Sequence, residues 1–231
     1  LFQGYYFAKP TIISGRKLNP SQLSMMQLLG LVLGDAEIPA IEKVLKREPG
    51  LTMNLMRLTN SAATGARIKV TSMRHAITVL GRRQLLRWLQ LLLFTNPAGG
   101  GNNVASPLLQ LAATRGKMLE LMAVKLHPGN HSFEDHAFMS GIMSLMPALM
   151  SLPMEKVLST VNFGDDVREA LESRGGMLGA MLSLVEALEG NDVGLCRELT
   201  EKLPGIDAPM VNACLTQAFA WSSNIGKETT E

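Results

Sequence analysis

From Pro20 onward the apolar residues fall three and four positions apart and are punctuated by Gly, Pro and Asn, so the sequence reads as a succession of amphipathic helices. Pro49 suits a first-turn position, and Leu51, Leu55, Leu58 and Ala62 follow at helical spacing, with Asn60 and Ser61 as the stop. Ser106 before Pro107 predicts an N-cap and a first-turn proline. Leu108, Leu111, Ala112, Leu119, Met122 and Leu126 then draw the longest apolar stripe in the chain. Leu178, Met181, Leu182, Val185 and Leu188 mark another helix, stopped at Gly190-Asn191. Asp192 opens a further one that runs to about Leu203 before Pro204-Gly205, and a last helix follows Ala208. Only Leu1 to Pro10 alternates like a strand, and it holds both tyrosines and two of the seven phenylalanines. Pro97 to Asn103 has nothing to bury and reads as a long loop inside the body. The expected class is all-α, a multi-helix bundle with a short N-terminal extended segment.

Composition narrows this further. A chain of 231 residues, 46% hydrophobic and 18% charged, has material for one large core and too little charge for a disordered chain. Fifteen methionines against 5% aromatics describe an interior filled by flexible side chains. Met25, Met26, Met143, Met146 and Met150 read as core filler, with an adaptable contact surface as the alternative. Cys196 and Cys214 have no ligand spacing and are expected to be reduced core thiols of a cytoplasmic protein. Leu85 to Phe94, the longest apolar run, is interrupted by Arg87 and Gln90 and is too short to span a membrane. With no initiator Met and no secretory leader pattern, the chain is expected to be a piece of a longer protein.

Charge is distributed unevenly under a net value of +2. Between Pro49 and Leu119 there is no Asp or Glu but nine basic residues: Arg57, Arg67, Lys69, Arg74, Arg82, Arg83, Arg87, Arg115 and Lys117. From Glu120 onward 16 acidic residues face 7 basic ones. Either the two parts pack together and neutralise one another, or Arg67, Lys69, Arg74, Arg82, Arg83, Arg87 and Arg115 offer a face to an acidic partner or a phosphate-bearing ligand. Arg115 falls on or beside the apolar stripe of its helix, so its head needs a partner; Glu120 and Asp135 are candidates, an anion or effector the alternative.

Two local patterns carry a resemblance. Phe2-Gln3-Gly4-Tyr5-Tyr6-Phe7-Ala8-Lys9-Pro10 resembles the closing strand of the EAL domain, a barrel-shaped hydrolase of cyclic di-GMP that typically ends Gln-Gly-Tyr-x-Phe-x-Lys-Pro. Glu48-Pro49-Gly50-Leu51, Asn60-Ser61-Ala62 and Ser72 with Ala76 and Leu80-Gly81 resemble, in order and spacing, signatures of the HDOD domain, a helical relative of the HD phosphohydrolases. Glu48 stands where that family usually has Asp, a shorter side chain and a better cap. The resemblance divides the chain into an EAL remnant (1–13), a linker (14–19), the helical HDOD domain (20–225) and a tail (226–231).

HD phosphohydrolases hold metal ions with an adjacent His-Asp pair, within a segment that typically reads Gly-Leu-Leu-His-Asp-Ile-Gly. The matching stretch here is Gly141-Ile142-Met143-Ser144-Leu145-Met146-Pro147. Ser144 and Leu145 replace both ligands, and a neutral hydroxyl beside a hydrocarbon lacks the charge to retain a divalent cation and acidify its water. No HD-type metal centre and no other cofactor is expected. His127, His131 and His136 lie near Glu134 and Asp135 but match no known ligand spacing and read as surface residues, with a zinc site as the alternative; His75 reads as a packing residue. Gly99-Gly100-Gly101 lacks the Lys-Ser/Thr of a phosphate loop.

The resemblance implies a non-catalytic regulatory module of bacterial signal transduction, tied to cyclic di-GMP through an upstream EAL domain. Its partners would be that domain, another signalling protein or a second copy of the chain, and not a membrane. The alternatives are a divergent metal-dependent nucleotide phosphohydrolase and a nucleic-acid binder using the basic 57–117 segment. The last is disfavoured because Trp88 and Phe94, the aromatics of that segment, lie in an apolar run.

Overall fold

The computed structural model describes residues 20–34, 36–65, 69–95, 106–225 and 227. The extended segment and linker expected over 1–19, the loop over 97–103, Arg67 and most of the 226–231 tail lie outside the described residues. Within them the chain is all-α, with no strand. The elements are α1 (Pro20–Leu33), α2 (Ile38–Leu45), α3 (Pro49–Thr59), a 3-10 turn (Ala62–Thr64), α4 (Met73–Leu92) and α5 (Pro107–Leu126). They continue with α6 (His131–Met143), α7 (Met146–Met150), α8 (Met154–Thr160), α9 (Asp165–Ser173), α10 (Gly176–Glu189), α11 (Val193–Glu201) and α12 (Ala208–Ser222).

The helix starts follow local chemistry. The side chains of Ser72, Ser106, Asp192 and Asp207 each accept a hydrogen bond from the backbone N–H three residues on, satisfying donors that the first turn leaves open. Glu48 makes no such cap; its carboxylate instead accepts from Ser24 Oγ at 2.8 Å, tying α1 to the start of α3. Gly81 adopts φ 77° and ψ 157° inside α4 and bends it into two shorter helices, a conformation that a residue with a Cβ rarely adopts. That bend leaves α5 as the longest uninterrupted helix.

α5 is the axis of the body, lying along α6 and α12 and also against α10 and α4. Where the sequence predicts one stripe, Ala112, Ala113, Thr114, Arg115, Gly116, Met118, Leu119, Glu120, Met122 and Ala123 are all buried, because neighbours close on this helix from several sides. Small residues permit this. A Cβ added at Gly141 of α6 would lie 2.7 Å from Gly116 Cα of α5, so the two backbones meet where neither residue has a side chain. Met26, Met143, Met146 and Met150 are buried, as the core reading has them.

The residues of the Asn-Ser-Ala motif have visible structural work. Asn60 Nδ2 donates to Val70 O at 2.9 Å and its Oδ1 accepts from Val70 N–H, clamping the two ends of the segment between α3 and α4. Ser61 donates to Leu58 O at 2.8 Å, and Ala62 N–H donates to Lys227 O at 2.9 Å. Leu51 and Ala76 are fully buried. Asn60→Ala is expected to cost about 1–3 kcal/mol, because the Val70 peptide loses both partners at once; a urea midpoint unchanged from that of the native chain would contradict this.

Candidate functional site

At the two positions that the resemblance sets against the His-Asp pair of HD phosphohydrolases, Ser144 follows the last turn of α6 and Leu145 is buried, 8% exposed, against the core. Ser144 Oγ donates to Gly141 O at 2.6 Å and accepts from Arg115 Nη1 at 2.7 Å. The Arg115 guanidinium, 3% exposed, reaches this point from α5 through the Gly116–Gly141 crossing. Its Nε donates to Glu189 Oε1 at 3.0 Å and its Nη2 to Glu189 Oε2, a two-pronged pair with the end of α10. Glu186 Oε1 lies 3.4 Å from Nη1. Arg174, at φ 58° just past α9, donates both Nε and Nη2 to Glu186 at 2.9 Å and also caps the carbonyls of Ala170 and Leu171.

Chemically, this is a partly buried charge network in which the Arg115 guanidinium, a permanent cation, is fixed on Ser144 and paired with Glu189. The donor set does not fit a divalent ion: Ser144 is neutral, Leu145 offers no donor atom, and the Arg115 head would repel the ion. Sequence reasoning picked out Arg115 but expected Glu120 or Asp135 as its partner. Those two carboxylates take Arg87 instead, while Arg115 points toward α10. Glu186 and Glu189 were missed, although two glutamates three positions apart at the end of a helix as apolar as α10 were a usable signal.

The remaining basic residues fall into two groups. Arg83 Nε donates to Asp135 Oδ2 at 2.6 Å and Nη2 to Glu134 Oε2 at 2.9 Å. Arg87 pairs with Asp135 Oδ1 and with Glu120, whose other oxygen accepts from Lys117 at 2.9 Å. The basic run and the acidic part thus meet across α4, α5 and α6, which is the neutralising arrangement. Glu134, nearly buried, is held below the usual carboxylate range by its hydrogen bond to His131 and then by Arg83. Arg82 donates to Ala36 O at 2.8 Å, and Lys69 and Arg74 are exposed.

The histidines do not converge. His131 meets Glu134 at 2.9 Å, His136 meets Asp166 at 2.6 Å, and His127 stands edge-on to Phe133. His75 is half-buried, and its Nδ1 accepts from Thr71 N–H at 3.3 Å at the start of α4. Cys214 is buried and Cys196 half-buried, and burial raises both thiol pKa values. No helix among the described residues is long and apolar enough to cross a membrane.

Comparison with known proteins bears on the family and the fold. The model of the HDOD domain matches residues 21–156. The chain is 28% identical over 227 residues to the uncharacterized protein YuxH of Bacillus subtilis, covering 97% of this chain and 54% of that protein. It is 29% identical over 231 residues to the cyclic di-GMP phosphodiesterase CdgJ of Vibrio cholerae, covering 98% of this chain and 51% of that protein. The chain therefore spans about half the length of these relatives. Among solved structures, a "Putative phosphohydrolase" from Shewanella amazonensis superposes with a TM-score of 0.57 at 14% identity, covering 95% of this chain and 98% of that one. A "Putative signal transduction protein" from Marinobacter aquaeolei does so with the same score and identity, covering 96% of this chain and 63% of that one. At that identity the likeness is one of fold.

Proposed function

The chain belongs to the HDOD family, and on that premise we propose that it is a non-catalytic regulatory and protein-interaction module of bacterial cyclic di-GMP signalling, joined to an upstream EAL domain. The observation that carries this reading is the Arg115 guanidinium seated on Ser144 and neutralised by Glu189. A site that keeps its own permanent cation has structural use for the charge and no vacancy for an exchangeable metal and the water that metal would activate. The relationship to CdgJ, a cyclic di-GMP phosphodiesterase about twice as long, supports the signalling context, as does the likeness of residues 2–10 to an EAL closing strand.

In this reading the helical body docks on the EAL domain or on a second copy and favours one arrangement of the assembly. A differential affinity of about 1–3 kcal/mol between arrangements is enough to change activity five- to a hundredfold. Two measurements test the proposal. Incubating the purified chain with cyclic di-GMP and nucleotides in Mn²⁺ or Mg²⁺ is expected to give no turnover, and chelator-sensitive hydrolysis would favour the divergent phosphohydrolase instead. Deleting residues 20–225 from the longer protein is expected to change phosphodiesterase activity or oligomeric state; if both stay the same, the regulatory role is lost.

A further inference from the structure

A cavity of about 380 Å³ opens between α4, α5, α6 and α12, under the 3-10 turn. Its aromatic face is the half-buried Trp221, backed by the buried Trp88 and Phe138: the two indoles lie 5.7 Å apart between ring centroids, and Phe138 stands edge-on to Trp221 at 6.2 Å. Trp221 is pinned by Nε1, which donates to Ala63 O at 3.0 Å, so the indole is presented in one orientation. The polar wall is Lys117, Gln84, Arg87 and Glu120. Arg87 is committed to Glu120 and Asp135, and Glu120 accepts from Arg87 on one oxygen and from Lys117 on the other. Its charge is therefore compensated from within the protein.

Lys117 differs from these. Its ammonium has three donors, of which Glu120 takes one, and it sits 5.5 Å from the centre of the Trp221 ring. A cation with donors to spare beside an aromatic wall suits a ligand that brings a π-face and a negative group together. Gln84 adds an amide on the exposed rim of the cavity. We infer that this cavity is a binding site for a small planar heteroaromatic anion, its ring against the half-buried Trp221 indole and its acidic group on Lys117. The volume is at the lower end of the roughly 300–1,000 Å³ of ligand pockets, enough for one ring system with a short acidic arm and too small for two base-sugar units. The inference does not rest on the signalling reading. It concerns a different face of the body from the Arg115 network and would hold for a catalytic chain equally well.

The two tryptophans of the sequence both line this cavity, so tryptophan fluorescence, excited where the two tyrosines do not absorb, reports on it. The chain would be titrated with orotate and adenosine monophosphate, with inorganic phosphate as the non-aromatic counterpart. Saturable quenching by at least one aromatic anion and no response to phosphate is the expected result. Lys117→Met is expected to weaken that binding about tenfold or more, the worth of a charge-assisted hydrogen bond. Gln84→Glu, on an exposed rim position that leaves the core untouched, is expected to weaken it in the same direction by repulsion. No saturable response to either aromatic probe up to millimolar concentration overturns the inference. So does an affinity that neither variant changes, or a response to phosphate equal to that of the aromatic anions.

Discussion

Arg115→Ala is expected to destabilise the fold by about 3–5 kcal/mol, the usual cost of breaking a buried ion pair by removing one partner. The cost arises mainly at Glu189. Its side chain is 15% exposed and would be left charged with its two-pronged partner gone. Glu186 contributes less, being about a third exposed and still held by Arg174 through both oxygens. Ser144 keeps its bond to Gly141 O but loses its only charged donor. Replacing the pair together, as Arg115→Met with Glu189→Gln, is expected to recover much of the loss, because no charge is then stranded. Urea unfolding checks both, with the slope of the transition unchanged. A single variant within about 1 kcal/mol of the native chain would show that Arg115 is solvated rather than structural, and the argument for a site filled by its own cation would fail with it.

Gly141→Ala is expected to cost at least about 2 kcal/mol, although alanine is the better helix former by about 0.8–1.0 kcal/mol. The added Cβ would meet Gly116 Cα at 2.7 Å, Gly116 N at 2.8 Å and Arg115 C at 2.9 Å. All three are backbone atoms of α5, so no side chain can swing aside and α6 must move away. That motion opens space around Phe138 and Ile142, both buried, and lengthens the Arg115–Ser144 hydrogen bond. Gly30→Ala in α1 is the control. Nothing lies within 4 Å of a Cβ there, and the change is expected to be neutral or to stabilise by up to about 1 kcal/mol. Thermal unfolding of the two variants separates the effects; equal midpoints would mean that α5 and α6 do not approach as closely as the crossing requires.

Much of the architecture was legible before any coordinates. The caps at Ser106 and Asp192, the first-turn prolines at 49 and 107 and the stop at Gly190-Asn191 are interactions within one or two turns, so the residues that make them are neighbours in the chain. That Ser144-Leu145 stands where the resemblance to HD phosphohydrolases expects His-Asp is likewise a matter of identity at two positions. The bend at Gly81 was half legible: the Leu80-Gly81 motif marks the place, but a lone glycine in a helical stretch does not announce a positive φ. The Arg115 partner was misplaced because sequence proximity favoured Glu120, five residues along the same helix, while the guanidinium emerges on the side facing α10.

From sequence alone, then, the chain determined its helical class, its helix starts and the presence of a neutral Ser144-Leu145 after α6, since periodicity, capping and residue identity act over a few positions. The tertiary structure alone decided which cation seats on Ser144 and where a pocket forms. Arg115 and Glu189 are 74 residues apart, Trp88 and Trp221 belong to α4 and α12, far apart in the chain, and Gly116 meets Gly141 only because two helices cross there. Such meetings depend on the packing of whole helices against one another, a property of the burial of the entire core rather than of any local stretch.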